Sequence, residues 1–535
     1  METIQILSLL ASYSVYIILS LVLVTQVYHQ LFDPLRRYPG PFIARFTNGY
    51  AGYFALRKRL HLTTHQNLEK YGPVIRQAPN RLVFNTVAAL HDIYLSPGIT
   101  KGEAYRSSQL QAKYPSMINA IDKDQHRRKR KYIGPALSER SMRNFEPVME
   151  EQIDIFLNLL LASARAGETV NMTERCRRLG LDIIGLLSFG YPFATQTGDS
   201  FGFLPGVIAA MSWRISLYMQ FPLLRALEYP LLWLAKKQAT RFGDTISSVI
   251  KTRTAQPKDA HHDLYSMVAD HIGKGQQSLY RGELWPEAIL FIIAGGTTTA
   301  TAMTSLFFYL AQNPLAGSRL KAEIRSTFSS ASEIRSGPEL MTRCKYLRAC
   351  IDEALRMTPP TLTIPWRQQP ETGRSNEPFV VDGHVIPPGT QVGVSLYSLL
   401  HHPEYFPDPF VFSPERWLVD DNDGGDDGGE SSSGANANKY RAFAPFLIGD
   451  RACAGRSMAY LELSLALARA IWFFDWEFAP GPAGDVGRGE TGRTDGRGRR
   501  DEFQVEDIFV SAYDGPNLIF TAREEVCEEL EKMRK

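Results

Sequence analysis

Apolar residues recur at helical spacing through most of the chain. Between 142 and 164, Met149, Ile153, Phe156, Leu157 and Leu160 fall on one stripe, which predicts an amphipathic helix. The same spacing predicts helices over 176–189, 235–252, 284–311, 315–328 and 345–357, and an apolar helical run over 458–474. Strand-like stretches are short, at 81–84, 379–381 and 391–394, with 85–92 leading out of the first. The expected fold class is therefore mainly α with small β-sheets. Two stretches lack any such pattern. Residues 420–438 carry no apolar side chain but Ala, and 480–500 are rich in Gly and Arg; both read as disordered insertions.

The N-terminus breaks the pattern in another way. No charge occurs from 4 to 28, a run long enough to cross a hydrocarbon core at ~1.5 Å per residue. Arg36 and Arg37 follow, which favours keeping that side cytosolic. Tyr38-Pro39-Gly40-Pro41 then forms a stiff turn. The expected organisation is an anchor over 1–30, a basic, proline-containing hinge over 31–50 and a catalytic domain over 51–535. A cleavable signal peptide fits less well, because the run is long and no small-x-small site follows it. Residues 288–311 are also uncharged, so length alone permits a second membrane helix. Gly295-Gly296 and five threonines between 297 and 304 weigh against that.

Charge and cysteine content exclude other classes. Lys and Arg total 59 against 57 Asp and Glu, a net +2 that gives no reason to invoke nucleic acid. The five cysteines (Cys176, Cys344, Cys350, Cys453, Cys527) are scattered, without zinc spacing, and suit a reducing compartment. The sequon Asn171-Met172-Thr173 would then stay unmodified.

Candidate chemistry centres on residues 446–455, Phe-Leu-Ile-Gly-Asp-Arg-Ala-Cys-Ala-Gly. Cys453 sits in a glycine-punctuated loop just before an apolar helix, where unpaired N–H groups and the helix dipole favour a thiolate. Arg451 adds a cation suited to a carboxylate or propionate, and Phe446 an apolar wall. An arbitrary cysteine is more often a buried small hydrophobe. Here the pattern Phe-x-x-Gly-x-Arg-x-Cys-x-Gly resembles, at every fixed position, the haem-binding signature of the cytochrome P450 family.

That resemblance implies a P450 fold preceded by a single N-terminal transmembrane helix, with Cys453 as the axial thiolate ligand of haem b iron. Three further patterns resemble the family. Glu353-Ala354-Leu355-Arg356 and Pro414-Glu415-Arg416-Trp417 imply a buried cluster of Glu353, Arg356 and Arg416. A bare Glu-x-x-Arg would otherwise be an ordinary surface pair. Ala294-Gly295-Gly296-Thr297-Thr298-Thr299 lies in a helix whose glycines and threonines are expected to bend or open it. Thr298 matches the family threonine that assists proton delivery, whereas Thr297 stands where an acid is common. His126 and Arg130 resemble the family helix that contacts one haem propionate, whereas Arg127, Arg128 and Lys129 read equally as a solvated basic face. Arg367, in Pro365-Trp366-Arg367, resembles the arginine that grips the other propionate.

The implied enzyme is a monooxygenase on the endoplasmic reticulum membrane, single-pass with a cytosolic catalytic domain. Electrons would come from NADPH through a separate cytochrome P450 reductase, with cytochrome b5 as a second donor, since this chain has no dinucleotide fingerprint. The resemblance places substrate lining near 99–122, 201–234, 292–298, 361–365 and Tyr513. A bulky apolar small molecule is expected. The chain resembles P450s of filamentous-fungal secondary metabolism, which suggests a terpenoid, polyketide or polyketide–peptide. Dehydrogenation, rearrangement or peroxide-driven chemistry on the same haem remains open, as does a non-catalytic haem-binding protein.

Overall fold

The computed structural model describes residues 13, 14, 16, 17, 20, 21, 24, 32–109, 113–228, 233, 236–269, 272, 281–370, 378–418 and 437–533. The expected helices occur as Glu139–Ala166, Met172–Phe189, Lys236–Ala255, Leu284–Gln312, Pro314–Thr327, Lys345–Met357 and Arg456–Phe473. Local chemistry sets several ends. Ser138 and Asn171 accept from the Ser141 and Glu174 N–H groups, and Gly167 and Gly190 close the same two helices in left-handed conformations. Leu60–Tyr71, Val87–Tyr94 and Leu204–Gln220 are further helices. The last is apolar on most sides, so its period is hard to see in the sequence.

The strands form a small sheet at one end. Its order is Val74–Ala78, Arg81–Phe84, Gln391–Val394, Arg367–Gln368, Thr100–Lys101, with only the 81–84/391–394 pair parallel. A second sheet pairs Asn517–Ala522 with Val170–Asn171 and Phe474–Phe478.

The long helix Leu284–Gln312 runs through the middle of the helical core. It is long and apolar enough to cross a membrane, yet it is wrapped by protein, with Leu306, Phe307, Phe308 and Tyr309 fully buried. Its fit against Met172–Phe189 depends on glycine. A Cβ on Gly295 would sit 2.4 Å from Ile184 Cδ1, and one on Gly180 would sit 2.3 Å from the Gly296 carbonyl oxygen. The helix runs unbroken through the Gly295-Gly296 pair. The threonines bond back one turn, as expected: Thr298 to Ala294 O at 2.6 Å, Thr299 to Gly295 O at 2.8 Å, and Thr301 to Thr297 O at 2.9 Å. Close packing against the neighbouring helix requires glycine at 295 and 296.

Residues 480–500, expected as a disordered insertion, are ordered against the body. Arg59 donates to the Asp495 carbonyl at 3.1 Å and Gln66 to Thr494 O at 3.2 Å. Glu490 N–H meets Arg497 O at 2.9 Å, Arg497 reaches Val505 O at 3.1 Å, and Arg500 pairs with Asp485. Composition shows the glycines and arginines but not these distant partners. All of 420–438 except 437 and 438 lies outside the described residues, as does most of the expected anchor over 1–30. The described positions of that stretch from 13 to 24 are helical, with Tyr13, Tyr16, Ile17, Leu21 and Val24 exposed. The hinge is fastened to the body: Arg76 N–H donates to Pro39 O at 2.7 Å, Arg76 pairs with Asp33, and Tyr38 is buried.

Candidate active site

The loop 446–455 is shaped by its own backbone. Leu447 and Gly449 take positive φ, 59° and 82°, and a Cβ on Gly449 would sit 2.1 Å from the Tyr94 carbonyl oxygen. The Cys453 N–H donates to Phe446 O at 2.9 Å, closing the loop and turning Cys453 toward an internal cavity. Its exposure is to that cavity. Burial pushes the Cys453 thiol up, and the Gly455 N–H, Arg130 and Arg456 only partly oppose it. The helix terminus alone therefore does not create a thiolate here. A cation held against the sulfur would.

Phe446, Leu447, Ala459 and Leu463 line the cavity beside Cys453. Ile293, Ala294, Thr298, Thr299 and Ala302 of the central helix also line it. Thr298 and Cys453 thus face one space.

At one rim the protein gathers cations. Arg367 and Lys101 are brought together by pairing of their strands, and Arg130 and His126 by the helix Lys123–Ile133. Arg451 comes from the cysteine loop. Their hydrogen bonds go to carbonyls: Arg130 to Ala452 O at 2.9 Å, Arg451 to Ala120 O at 2.7 Å, Arg367 to Trp366 O at 3.1 Å, and Lys101 to Ile118 O. Among the described residues none of the five makes an ion pair with a carboxylate. Burial, then Arg367 and Arg451, hold the Lys101 ammonium well below its usual range. Burial and the same cations hold His126 down at about 3, so it is neutral at pH 7. Self-repelling buried cations with carbonyl partners fit a dianionic group entering the cavity.

The other predicted cluster also assembles. Arg356 donates to both Glu353 oxygens at 2.9 Å, and Arg416 to Glu353 Oε1 at 2.9 Å. Ser413 N–H and Trp417 Nε1 complete the carboxylate shell at 3.0 and 2.9 Å. Burial alone would raise the Glu353 carboxyl, but Arg356 and Arg416 outweigh it and the net shift is downward. The basic run 126–130 is less solvated than expected. Arg127 is exposed, whereas Lys129 is fully buried between Glu283 and Glu287 at 2.9 and 2.8 Å, and Arg128 also pairs with Glu283.

The cavity lining corrects two expectations. Of the described residues in 201–234, only Ile215 lines it, and Phe509 and Val510 take the place given to Tyr513. Tyr513 instead borders a separate small pocket with Arg177 and Thr297. Sequence reasoning also missed Lys101, Asp507 and Glu462. Burial raises the Asp507 carboxyl to about 6, and Thr363, a lining residue, donates to it at 3.0 Å. Burial raises Glu462 further, to about 8, only partly opposed by the Thr299 hydroxyl beside it. A lone acid within the apolar run 458–468 was the available signal.

Comparisons agree with this geometry. The family model for Cytochrome P450 matches residues 39–485. The chain is 32% identical over 525 residues to Cytochrome P450 monooxygenase AKT7 of Alternaria alternata, covering 96% of this chain and 98% of the relative. It is 33% identical over 470 residues to monooxygenase poxM of Penicillium oxalicum, covering 85% and 87%. With monooxygenase apf7 of Gibberella fujikuroi it shares 30% over 541 residues, covering 95% and 98%. A cysteine turned into a cavity across from a threonine-bearing helix, beside gathered cations, thus belongs to a chain that is a member of the cytochrome P450 family and a haem-dependent monooxygenase.

Proposed function

We propose that this protein inserts one oxygen atom into a bulky, apolar small molecule as a tailoring step of secondary metabolism. The observation that carries the reading is the shared cavity of Cys453 and Thr298, with Lys101, Arg367 and Arg451 lining it and Arg130 bonded to the cysteine loop. Cys453 Sγ would hold the haem iron; Arg451, Arg130, His126, Arg367 and Lys101 would hold the propionates; Phe446 would pack the proximal face. The bound haem supplies oxygen activation and the electron push of a thiolate ligand. The chain's own part is to bind, orient and exclude water. Apolar Ile215, Ile289, Ile293, Phe509 and Val510 select a greasy substrate, and the Thr298 hydroxyl holds a proton at the cavity face.

NADPH would supply electrons through a separate reductase, assisted by cytochrome b5. The uncharged run over 4–28 would anchor the chain to the endoplasmic reticulum, leaving the body cytosolic. Thr297 in place of an acid favours keeping dehydrogenation, rearrangement or peroxide-driven chemistry as a second reading. Reconstitution with a reductase and labelled dioxygen decides between them. Label in the product, and a long-wavelength carbon monoxide band lost in Cys453→Ser, supports the monooxygenase reading. Unlabelled product supports the second reading. A missing band in pigment-loaded wild-type protein overturns the Cys453 assignment.

A further inference from the structure

Phe446, which lines the cavity beside Cys453, packs its ring on that of Tyr460, with centroids 5.2 Å apart. Tyr460 belongs to the helix Arg456–Phe473 and is 5% exposed. Its hydroxyl donates to Asp352 Oδ1 at 2.6 Å, and Asp352 Oδ2 accepts from Arg348 Nε at 2.9 Å. Both partners come from the helix Lys345–Met357. The Arg348 guanidinium lies over the Tyr460 ring at 3.6 Å and that of Arg456 at 5.8 Å. Tyr346 and Tyr397 also donate to carboxylates, of Glu415 and Glu502. Among the described residues Tyr460 is the one of these three that stacks on the cysteine loop.

We propose that Tyr460 is a protective electron donor, oxidised to a neutral phenoxyl radical when the activated haem finds no substrate to attack. The proposal rests on the haem-thiolate reading above, whose activity supplies the oxidant. In the step the Tyr460 O–H bond breaks and its proton passes to Asp352 Oδ1 along the 2.6 Å hydrogen bond. One electron passes by way of the Phe446 ring and the cysteine loop to the haem, which is reduced by one equivalent. A phenoxyl and a protonated Asp352 remain. A small cellular thiol then returns one electron, its own proton leaving to water as a thiyl radical forms. The proton held on Asp352 goes back to the ring oxygen, and the phenol is restored.

Charge explains why the carboxylate matters. Loss of an electron alone would leave a cation beneath two guanidinium groups, a like-charge arrangement. Moving the proton to Asp352 at the same time keeps the ring neutral. Burial, then the Asp352 charge, hold the Tyr460 hydroxyl well above its usual range, so it keeps its proton until the ring is oxidised. Burial also raises the Asp352 carboxyl, which Arg348 and Tyr460 oppose only in part, and that makes it a better proton acceptor. The Arg348 side chain is 41% exposed and Arg456 is exposed. The ring therefore lies one layer of side chains from water, within reach of a small reductant.

The test uses full-length, haem-loaded protein without substrate, mixed with peracetic acid and frozen within milliseconds. Electron paramagnetic resonance should show a tyrosyl radical that narrows when the protein carries ring-deuterated tyrosine. Tyr460→Phe should lose that signal and bleach its haem at lower peracetic acid, with the carbon monoxide band kept. Asp352→Asn retains the ring and an acceptor oxygen but cannot take the proton, so the signal should weaken. A merely structural hydrogen bond would leave both the radical and the bleaching unmoved. A tyrosyl signal undiminished in Tyr460→Phe overturns the proposal, as does bleaching equal to the wild type's. A wild type that bleaches with no organic radical overturns it too. Should Tyr460→Phe fail to load haem, Asp352→Asn decides: a weakened signal supports the proposal, and an undiminished one overturns it. Failure of the haem-thiolate reading would show separately, as a missing carbon monoxide band in the wild type.

Discussion

Gly180 and Gly296 bring two backbones into contact: a Cβ on Gly180 would meet the Gly296 carbonyl oxygen at 2.3 Å. The oxygen belongs to rigid helix, so no side chain can yield to relieve the clash. Gly180→Ala is expected to force the helices apart at the cost of overpacking, about 1–3 kcal/mol. Gly206→Ala is the control, since its added methyl meets nothing within 4 Å. That change should be neutral or stabilising by about 0.5–1 kcal/mol. Thermal unfolding of both variants, followed by circular dichroism, checks the contrast.

Glu353→Gln is expected to yield little haem-loaded protein. It leaves Arg356, fully buried, with carbonyl partners but no countercharge, a loss of about 3–5 kcal/mol. A denaturant midpoint equal to the wild type's, with normal haem content, would refute this.

Stability should decline as pH rises from weakly acid to mildly basic. Glu462 titrates near 4.5 when unfolded and near 8 when folded, so between those values the folded chain holds a proton that the unfolded chain has released. Stability from this group is complete below about 4.5 and is lost toward pH 8, with a slope of up to ~1.4 kcal/mol per unit. Asp507 acts in the same direction between 3.8 and about 6. Urea midpoints across that range should fall less steeply in Glu462→Gln. His126 has the opposite sign. Its folded value, about 3, lies below the ordinary 6.5, so its penalty appears as pH falls below 6.5.

Lys101→Met should separate folding from cofactor retention. Removing a buried cation from a self-repelling group stabilises the haem-free chain. It also removes a partner for a propionate, so haem should transfer faster to an acceptor such as apomyoglobin. Faster transfer together with a raised haem-free melting temperature is the expected pair of results. Slower transfer would contradict the assignment of Lys101 to the propionate site.

Much of this was legible in the residues because the signals were local. The stripe from Met149 to Leu160 fixes a helix, and 446–455 carries its spacing within ten positions. Glu353 and Arg356 share a face through helical geometry, although Arg416 needed the family pattern. The rest depended on distant partners. Arg59 and Asp495, 436 positions apart, hold a Gly- and Arg-rich stretch that composition alone reads as unstructured. Lys129 reads as a surface base until Glu283 and Glu287 come to meet it. The Gly295-Gly296 pair could mean a kink or a close approach, and only the neighbouring helix decides which.

Pro39 accepts from Arg76, and Val74–Ala78 is the outermost strand of its sheet. Residues 33–41 therefore act as a cover over an open strand edge. Trimming the chain beyond residue 41 to obtain a soluble enzyme would uncover that edge and invite strand-to-strand aggregation. A cut made before Asp33 would leave the cover in place, and that is where truncation for crystallisation should begin.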